Sequence, residues 1–173
     1  MQCQPAIDCI RDVKSHLDGS VRTIYMSPQG SVFSHEKAKE LLGYDNLILL
    51  CGHYEGIDER IIDLEIDEEI SIGDFVLTGG ELPAAIVVDS VSRMVDGVLP
   101  SSECYENESI AGGLLEYPQY TRPRSFEGLE VPEVLTNGNH AQIEAWKHKQ
   151  ALERTIRKRP DIYEKYIKSN GNE

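Results

Sequence analysis

Three stretches of the sequence concentrate residues that could build a ligand site: "YMSPQG", "CGHYEGIDER" and "IGDFVLTGGELP". Each follows a short apolar run and interrupts it with glycine. Glycine lets the main chain approach a ligand closely and present its N–H and C=O groups. A pocket walled this way reads its ligand through backbone hydrogen bonds, chemistry that suits a nucleoside-like molecule. One such loop is an ordinary turn; three at successive strand ends point to a site. None is a GxGxxG or a P-loop, so dinucleotide and triphosphate binding have no support. Other chemistries are missing as well. There is no HExxH and no serine in GxSxG, and His16, His35, His53, His140 and His148 are scattered. Cys51 and His53 alone make a poor metal pair, so no metal-ligating residues are assigned.

The elements that must position these loops follow from periodicity. Pro5 to Leu17 reads as a helix with Ile7, Ile10, Val13 and Leu17 near one face. "RTIYMSPQG" reads as a strand ending in a Pro/Gly turn, Asn46 to Cys51 as a second strand, and "EISIGDFVLTGG" as a third. Between them, Ser34 can cap a helix through Leu42, and "IDERIIDLEI" reads as helical. Pro83 suits the first turn of a further helix, whose Ala84, Val87, Val88, Val91 and Val95 form an apolar stripe. Strands alternating with helices imply an α/β fold with a mostly parallel sheet, whose strand ends share the edge where ligands bind.

Residues 101–113, "SSECYENESIAGG", are small and acidic without a period and read as a flexible linker. The following stretch is proline-punctuated and irregular. Asn139 can then cap a helix running through Arg159, ended by Pro160. The expected organisation is an α/β domain over 1–100, a linker over 101–113 and a small, mainly helical domain over 114–173.

Composition sets the remaining bounds. A chain of 173 residues suffices for one good core or a domain with a small appendage. Hydrophobic residues make up 40% and no apolar run approaches membrane-spanning length, so no membrane partner is expected. The opening "MQCQPAIDCIRDVK" lacks the features of a signal peptide. Cys3, Cys9, Cys51 and Cys104 have no CxxC spacing, which fits reduced thiols and a cytoplasmic setting. The net charge of −13 divides unevenly: residues 140–173 carry +3 and the remainder −16. A mildly basic tail on an acidic body fits contact with phosphate, and equally a solvated helix face.

Four longer motifs, "LCGHYEGIDERI", "EISIGDFVLTGGELPAAIVVDSVSRMVDGVL", "GLLEYPQYTRP" and "GNHAQIEAWKHKQALERT", closely resemble the bacterial tRNA (guanine-N1)-methyltransferase family, in order, from about Gln4 to Tyr163. The resemblance implies a SPOUT-like fold with a deep C-terminal trefoil knot that holds S-adenosylmethionine. It implies methylation of N1 of the guanosine just 3′ of the anticodon in tRNA, a homodimer with a shared active site, and use of Mg²⁺. Carried over by position, Tyr25 and Met26 line the cofactor pocket at the first strand end, and Gly52, Tyr54 and Gly56 come from the second loop. Ser71, Ile72, Gly73, Phe75, Leu77, Gly79, Gly80 and Pro83 come from the third. A tight turn or a core side chain is the competing explanation for each, and Leu77 and Pro83 fit it best.

The resemblance also implies Glu108 as general base and Arg93 as catalytic arginine, with a solvated loop carboxylate and an i,i+4 partner of Asp89 as the alternatives. Glu55, Tyr120 and Arg122 would face RNA, as would Lys147, Arg154, Arg157 and Lys158 on the basic tail. Two departures stand out. The family's base is an aspartate, one methylene shorter than Glu108. The family also has an N-terminal segment before the position aligned with Met1, so an N-terminally truncated knot domain is expected. A catalytically silent cofactor- and tRNA-binding or dimerisation module is the alternative.

Overall fold

The computed structural model describes every residue except Tyr54, Ser102, Asn107 and 171–173. Two compact units divide the chain, Met1–Pro100 and Ser101–Glu173.

The first unit alternates helix and strand: α1 (Cys3–Ser15), β1 (Val21–Val32), α2 (His35–Leu41), β2 (Asn46–Cys51), α3 (Glu59–Glu65), β3 (Glu68–Ser71) and α4 (Glu81–Ser92). The sheet order is β2-β1-β3 and both pairings are parallel, as the alternation requires. The chain leaves β1 to one side for β2 and crosses to the other side for β3. This reversal is where ligands bind in open α/β sheets. Thr23 and Ile24, neighbours on β1, are both fully buried. Adjacent strand residues point to opposite faces, so helices cover the sheet on both sides. Ala6, Ile7, Ile10 and Ile61 tie α1 to α3 in one apolar cluster, and α2 packs with α4.

Local signals account for most boundaries. The Ser34 side chain accepts a hydrogen bond from the Lys37 N–H and caps α2; Asp58 caps α3 through the Arg60 N–H. Two expectations are corrected. β1 does not stop at its Pro/Gly turn. Met26 and Ser31 both pair with Ile70, so residues 27–30 bulge out and the strand resumes beyond them. Pro28 donates no hydrogen bond and tolerates the bulge. Gly30 lies so close to the Glu69–Ile70 backbone that any Cβ would collide with it. The third strand, expected to run to Gly80, pairs only over Glu68–Ser71. Gly73 at φ +141° turns the chain out of the sheet, and the Ser71 hydroxyl holds that turn through hydrogen bonds to the Gly73 N–H and C=O.

α4 begins as Pro83 suggested, but its apolar stripe is split. Ala84, Val87, Val91 and Met94 are buried, while Leu82, Ile86, Val88 and Val95 are exposed.

Glu65 fastens α3 to α1. Its carboxylate, 6% exposed, meets Arg11 Nε at 2.6 Å and Lys14 Nζ at 3.1 Å. Burial pushes its pKa up, but the two cationic hydrogen bonds outweigh that and hold it below the ordinary glutamate value. The lowered pKa means that the stabilisation is present above roughly pH 4.3 and is lost as pH falls through the folded value. Glu65→Gln is therefore expected to cost about 1–2 kcal/mol near neutral pH, less than a fully buried pair because Arg11 can be resolvated. Urea unfolding across pH should show the gap between the two proteins closing below pH of about 4. A gap independent of pH would assign the loss to packing.

The second unit holds α5 (Glu103–Glu106), a hairpin of β4 (Ser125–Phe126) and β5 (Leu129–Glu130), a 3₁₀ turn (Glu133–Leu135), α6 (His140–Lys158) and α7 (Pro160–Asn170). Glu127 and Gly128, both at positive φ, form the two-residue turn of the hairpin. The segment expected as a structureless linker carries the α5 turn. It closes a tight loop in which the Ile110 N–H donates to the Leu114 carbonyl at 2.8 Å. The Leu115 N–H donates to Thr155 Oγ1, which is fully buried and itself donates to the Ala151 carbonyl, pinning this chain to α6. Asn139 caps α6 through the Gln142 N–H. α6 stops at Lys158, with Arg159 as its non-helical C-cap, just before Pro160 as expected; Pro160 then takes the first position of a further helix, α7, where its missing N–H has no helical partner to lose.

Candidate functional site

The carboxyl ends of the three parallel strands surround a cavity of about 250 Å³. It falls near the small end of ligand sites. β1 contributes Tyr25 and Met26 and, through its bulge, Ser27, Pro28 and Gln29. The chain after β2 contributes Gly52, His53, Glu55 and Gly56. From the end of β3 to the first turn of α4 come Ile70, Ser71, Ile72, Gly73, Phe75, Val76, Leu77, Thr78, Gly79, Gly80 and Pro83.

The glycines do more than clear the ligand space. The Gly80 N–H donates to the Gly52 carbonyl at 3.0 Å, and His53 and Gly79 form an antiparallel bridge. A Cβ on Gly80 would stand 2.8 Å from Cys51 Cα and 3.1 Å from the Gly52 nitrogen. The second and third loops are thus laced together by their main chains, and glycine is what lets them touch. A Cβ on Gly52 would press the Tyr25 hydroxyl at 2.9 Å.

Burial, with Glu69 nearby, pushes the Tyr25 phenol above its ordinary pKa, so it remains a hydrogen-bond donor. Burial and the Glu81 carboxylate push the Cys51 thiol up as well, which keeps it from acting as a thiolate nucleophile near neutral pH. His53 Nε2 lies 3.2 Å from Glu81 Oε1 and ties the second loop to the start of α4. Among the described residues, no group of three or more His, Cys, Asp or Glu could hold a metal ion. The walls offer backbone amides, a phenol, short hydroxyls, the Gln29 amide, the His53 imidazole, the Glu55 carboxylate and apolar side chains. That set can orient a polar, nucleoside-sized molecule and supplies no covalent nucleophile.

Twelve of the thirteen residues expected in the cofactor pocket line this one cavity, and Glu55 joins them; Tyr54 lies outside the described residues. Sequence reasoning missed Ser27, Pro28, Gln29, His53, Ile70, Val76 and Thr78 as wall residues. The proline and glycine of "SPQG" were the available signal, read as a turn.

Arg93 is not brought to the cavity. It caps the C-terminal end of α4, whereas Gly80 caps its N-terminal end. The twelve residues of α4 lie between them, roughly 20 Å at 1.5 Å per residue step. Glu108 belongs to the second unit, half-buried in the turn after α5, beside Ser109, whose hydroxyl accepts from the Glu116 N–H.

The residues expected to face RNA also divide. Arg122, Arg157 and Lys158 are exposed. Lys147 is held by Glu144 at 2.8 Å and sits 5.0 Å over the Tyr117 ring, and Tyr120 packs on Trp146. Arg154 Nη1 donates to the Glu116 carbonyl.

Known proteins share this sequence over most of its length. A family model described as tRNA (Guanine-1)-methyltransferase TrmD matches residues 1–165. A protein of Ruminiclostridium cellulolyticum named tRNA (guanine-N(1)-)-methyltransferase is 56% identical over 170 residues, 98% of this chain and 73% of that one. Relatives of the same name from Lachnospira eligens and Staphylococcus aureus are 51% and 50% identical, over 100% and 98% of this chain and 73% and 68% of theirs.

Proposed function

The chain belongs to the tRNA (guanine-1)-methyltransferase family, and from that premise we propose that it methylates N1 of a guanosine in tRNA, the one just 3′ of the anticodon. The observation that carries the reading is the single glycine-walled cavity at the strand ends, which gathers the expected cofactor residues from three separate loops. S-adenosylmethionine fits this site because main-chain amides and short polar side chains line it, and it supplies a methyl group already made electrophilic by its sulfonium. The lacing of Gly80 and Gly79 onto Gly52 and His53 supports a knotted passage of these loops. Tyr25, Ser71 and the backbone of Gly52, Gly73 and Gly79 would orient the ligand, and Phe75 and Leu77 would shield it from water.

With a reactive methyl in place, the chain's own task is alignment and proton handling. Holding two reactants in line supplies about 7–11 kcal/mol. Glu108 accepts the N1 proton of guanine, a contribution on the order of 10²–10⁴-fold. Arg93 stabilises the negative charge that grows at guanine O6. Glu55, on the cavity rim, and Tyr120, Arg122, Lys147, Arg154, Arg157 and Lys158 hold the RNA. A Mg²⁺ ion would be held chiefly by substrate phosphates, whose charge it would neutralise. The setting is cytoplasmic; no described helix is long and apolar enough to cross a membrane.

The distance from Gly80 to Arg93 favours an active site shared between two copies. One chain holds the two about 20 Å apart, and a homodimer would pair the cavity of one copy with Arg93 of the other. The exposed Leu82, Ile86 and Val88 of α4 give that dimer an apolar surface. Two experiments follow. Incubating the protein with tRNA and methyl-labelled cofactor should place label on guanine N1; label elsewhere, or none, would remove the proposed reaction. Mixing inactive Gly80→Val and Arg93→Ala chains should restore roughly a quarter of the activity, because half the dimers are mixed and each carries one intact site. Mixtures as inactive as their components would place the whole site within one chain.

A further inference from the structure

We infer that Glu69 is the counter-charge for the sulfonium of the bound cofactor, and that it sets the preference of the cavity for S-adenosylmethionine over the neutral thioether left after transfer. This rests on the cofactor reading above and names the group that senses the ligand's charge. Three glutamates lie close in sequence around the start of β3, and two of them are paired twice. Glu65 meets Arg11 and Lys14, and Glu68 meets Arg22 Nε at 2.9 Å and Lys37 Nζ at 3.0 Å. Glu69, half-buried between Glu68 and the fully buried Ile70, differs. Among the described residues no cation is paired with it, and its Oε2 is shielded from solvent without a hydrogen-bond partner. Buried carboxylates are ordinarily paired, because an unpaired one is costly to hold away from water. A site of this kind is complete only when a ligand brings the cation.

The place of Glu69 in the sheet says where that cation arrives. Tyr25 and Glu69 are register partners on the parallel strands β1 and β3, so their side chains leave the same face of the sheet. Tyr25 lines the cofactor cavity, and the Glu69 charge acts on its phenol. Ile70 and Ser71, the next two residues of β3, are wall residues as well. Gly30 lies against the Glu69–Ile70 backbone, which fixes β3 at this point. Glu55 is a carboxylate on the wall itself, but it is exposed, and water screens its charge. S-adenosylmethionine and its product share the adenosine, the ammonium and the carboxylate, and they differ at sulfur. Transfer breaks the methyl–sulfur bond, leaves the electron pair on sulfur and turns the sulfonium into a neutral thioether, while guanine N1 gives up its proton. The ligand loses the charge that Glu69 complements as it reacts. Pairing with the sulfonium is therefore stronger before transfer than after, and it serves binding and product exchange rather than the chemical step.

Calorimetry of the full chain with S-adenosylmethionine and with S-adenosylhomocysteine isolates the contribution of the sulfonium. Glu69→Gln should weaken the first by about tenfold, the scale of one partly screened charge pair, and hold the second within about twofold. Glu69→Asp, which keeps the charge, should retain most of the preference for the cation. Thermal melts without ligand should find Glu69→Gln at least as stable as the unaltered chain, because it removes an unpaired buried charge. In methylation assays the same variant should raise KM for the cofactor without lowering kcat, the pattern of a lost binding contact. Equal weakening of both ligands, or no weakening of either, overturns the assignment and leaves the cofactor reading in place. An unaltered chain that binds neither ligand overturns the cofactor reading, and the assignment falls with it.

Discussion

Glu108→Gln is expected to slow methyl transfer by about 10²–10⁴-fold while cofactor affinity stays unchanged. The residue lies in the turn after α5, outside the buried core, so glutamine should leave folding nearly intact. If Glu108 takes the N1 proton, raising the pH should partly rescue the variant, because more guanine then loses its proton to water. Glu108→Asp, which restores the family's residue, should keep or raise the rate. A misplacement on the order of 1 Å can cost about 10²-fold, and the loop must therefore bring the shorter acid to the same point. Arg93→Ala should also slow transfer, but without rescue at high pH, since its proposed role is charge stabilisation. Single-turnover rates across pH separate the two. A near-normal rate for Glu108→Gln would move the base elsewhere, with Glu55 on the cavity wall and Glu116 beside Ser109 the next to test.

Gly80→Val should weaken cofactor binding by roughly ten- to a hundredfold. The cause is the contact between loops rather than a branch projecting into ligand space. The new Cβ would meet Cys51 Cα at 2.8 Å, and neither backbone can yield without breaking the Gly80–Gly52 hydrogen bond. Overpacking of this kind costs about 1–3 kcal/mol or more. Charged to the cavity alone, that is roughly ten- to a hundredfold in affinity. Gly79→Ala should be milder, because its Cβ meets only the Glu81 and His53 side chains, which can swing aside. Calorimetry with S-adenosylmethionine, alongside thermal melts to confirm folding, ranks the two. A folded Gly80→Val protein that binds normally would show that the cofactor does not use this cavity.

The sequence revealed what is decided locally. Ser34 and Asn139 sit where their side chains close helix ends, and both caps form. Three glycine-rich strand ends announced a meeting point because parallel strands deliver their ends to one edge, and the cavity lies there. What escaped depends on distant partners. The resumption of β1 beyond Gly30 is held by β3, some forty residues later, and no local pattern encodes it. Pro160 carries two meanings, a stop for one helix and a start for the next, and both hold; what the sequence did not show was α7 itself, which packs against α6. The α4 stripe was read as one face, yet helical spacing cannot say which side of an apolar helix finds a partner. Arg93 was singled out by resemblance alone, and its distance from Gly80 needed the helix to be seen whole.

The double pairing of Ile70 with Met26 and Ser31 also bears on how the chain reaches this state. β1 is the middle strand, yet it comes first, and both neighbours arrive later through parallel crossovers. Such non-local pairings form slowly, because loop closure precedes any gain from the contacts. On a ribosome, the edge of β1 that meets β2 would stay bare until β2 had emerged, and the edge that meets β3 longer still. Once the sheet has closed, the amides of β1 should exchange with solvent more slowly than those of any other strand, since releasing them means undoing both neighbours together.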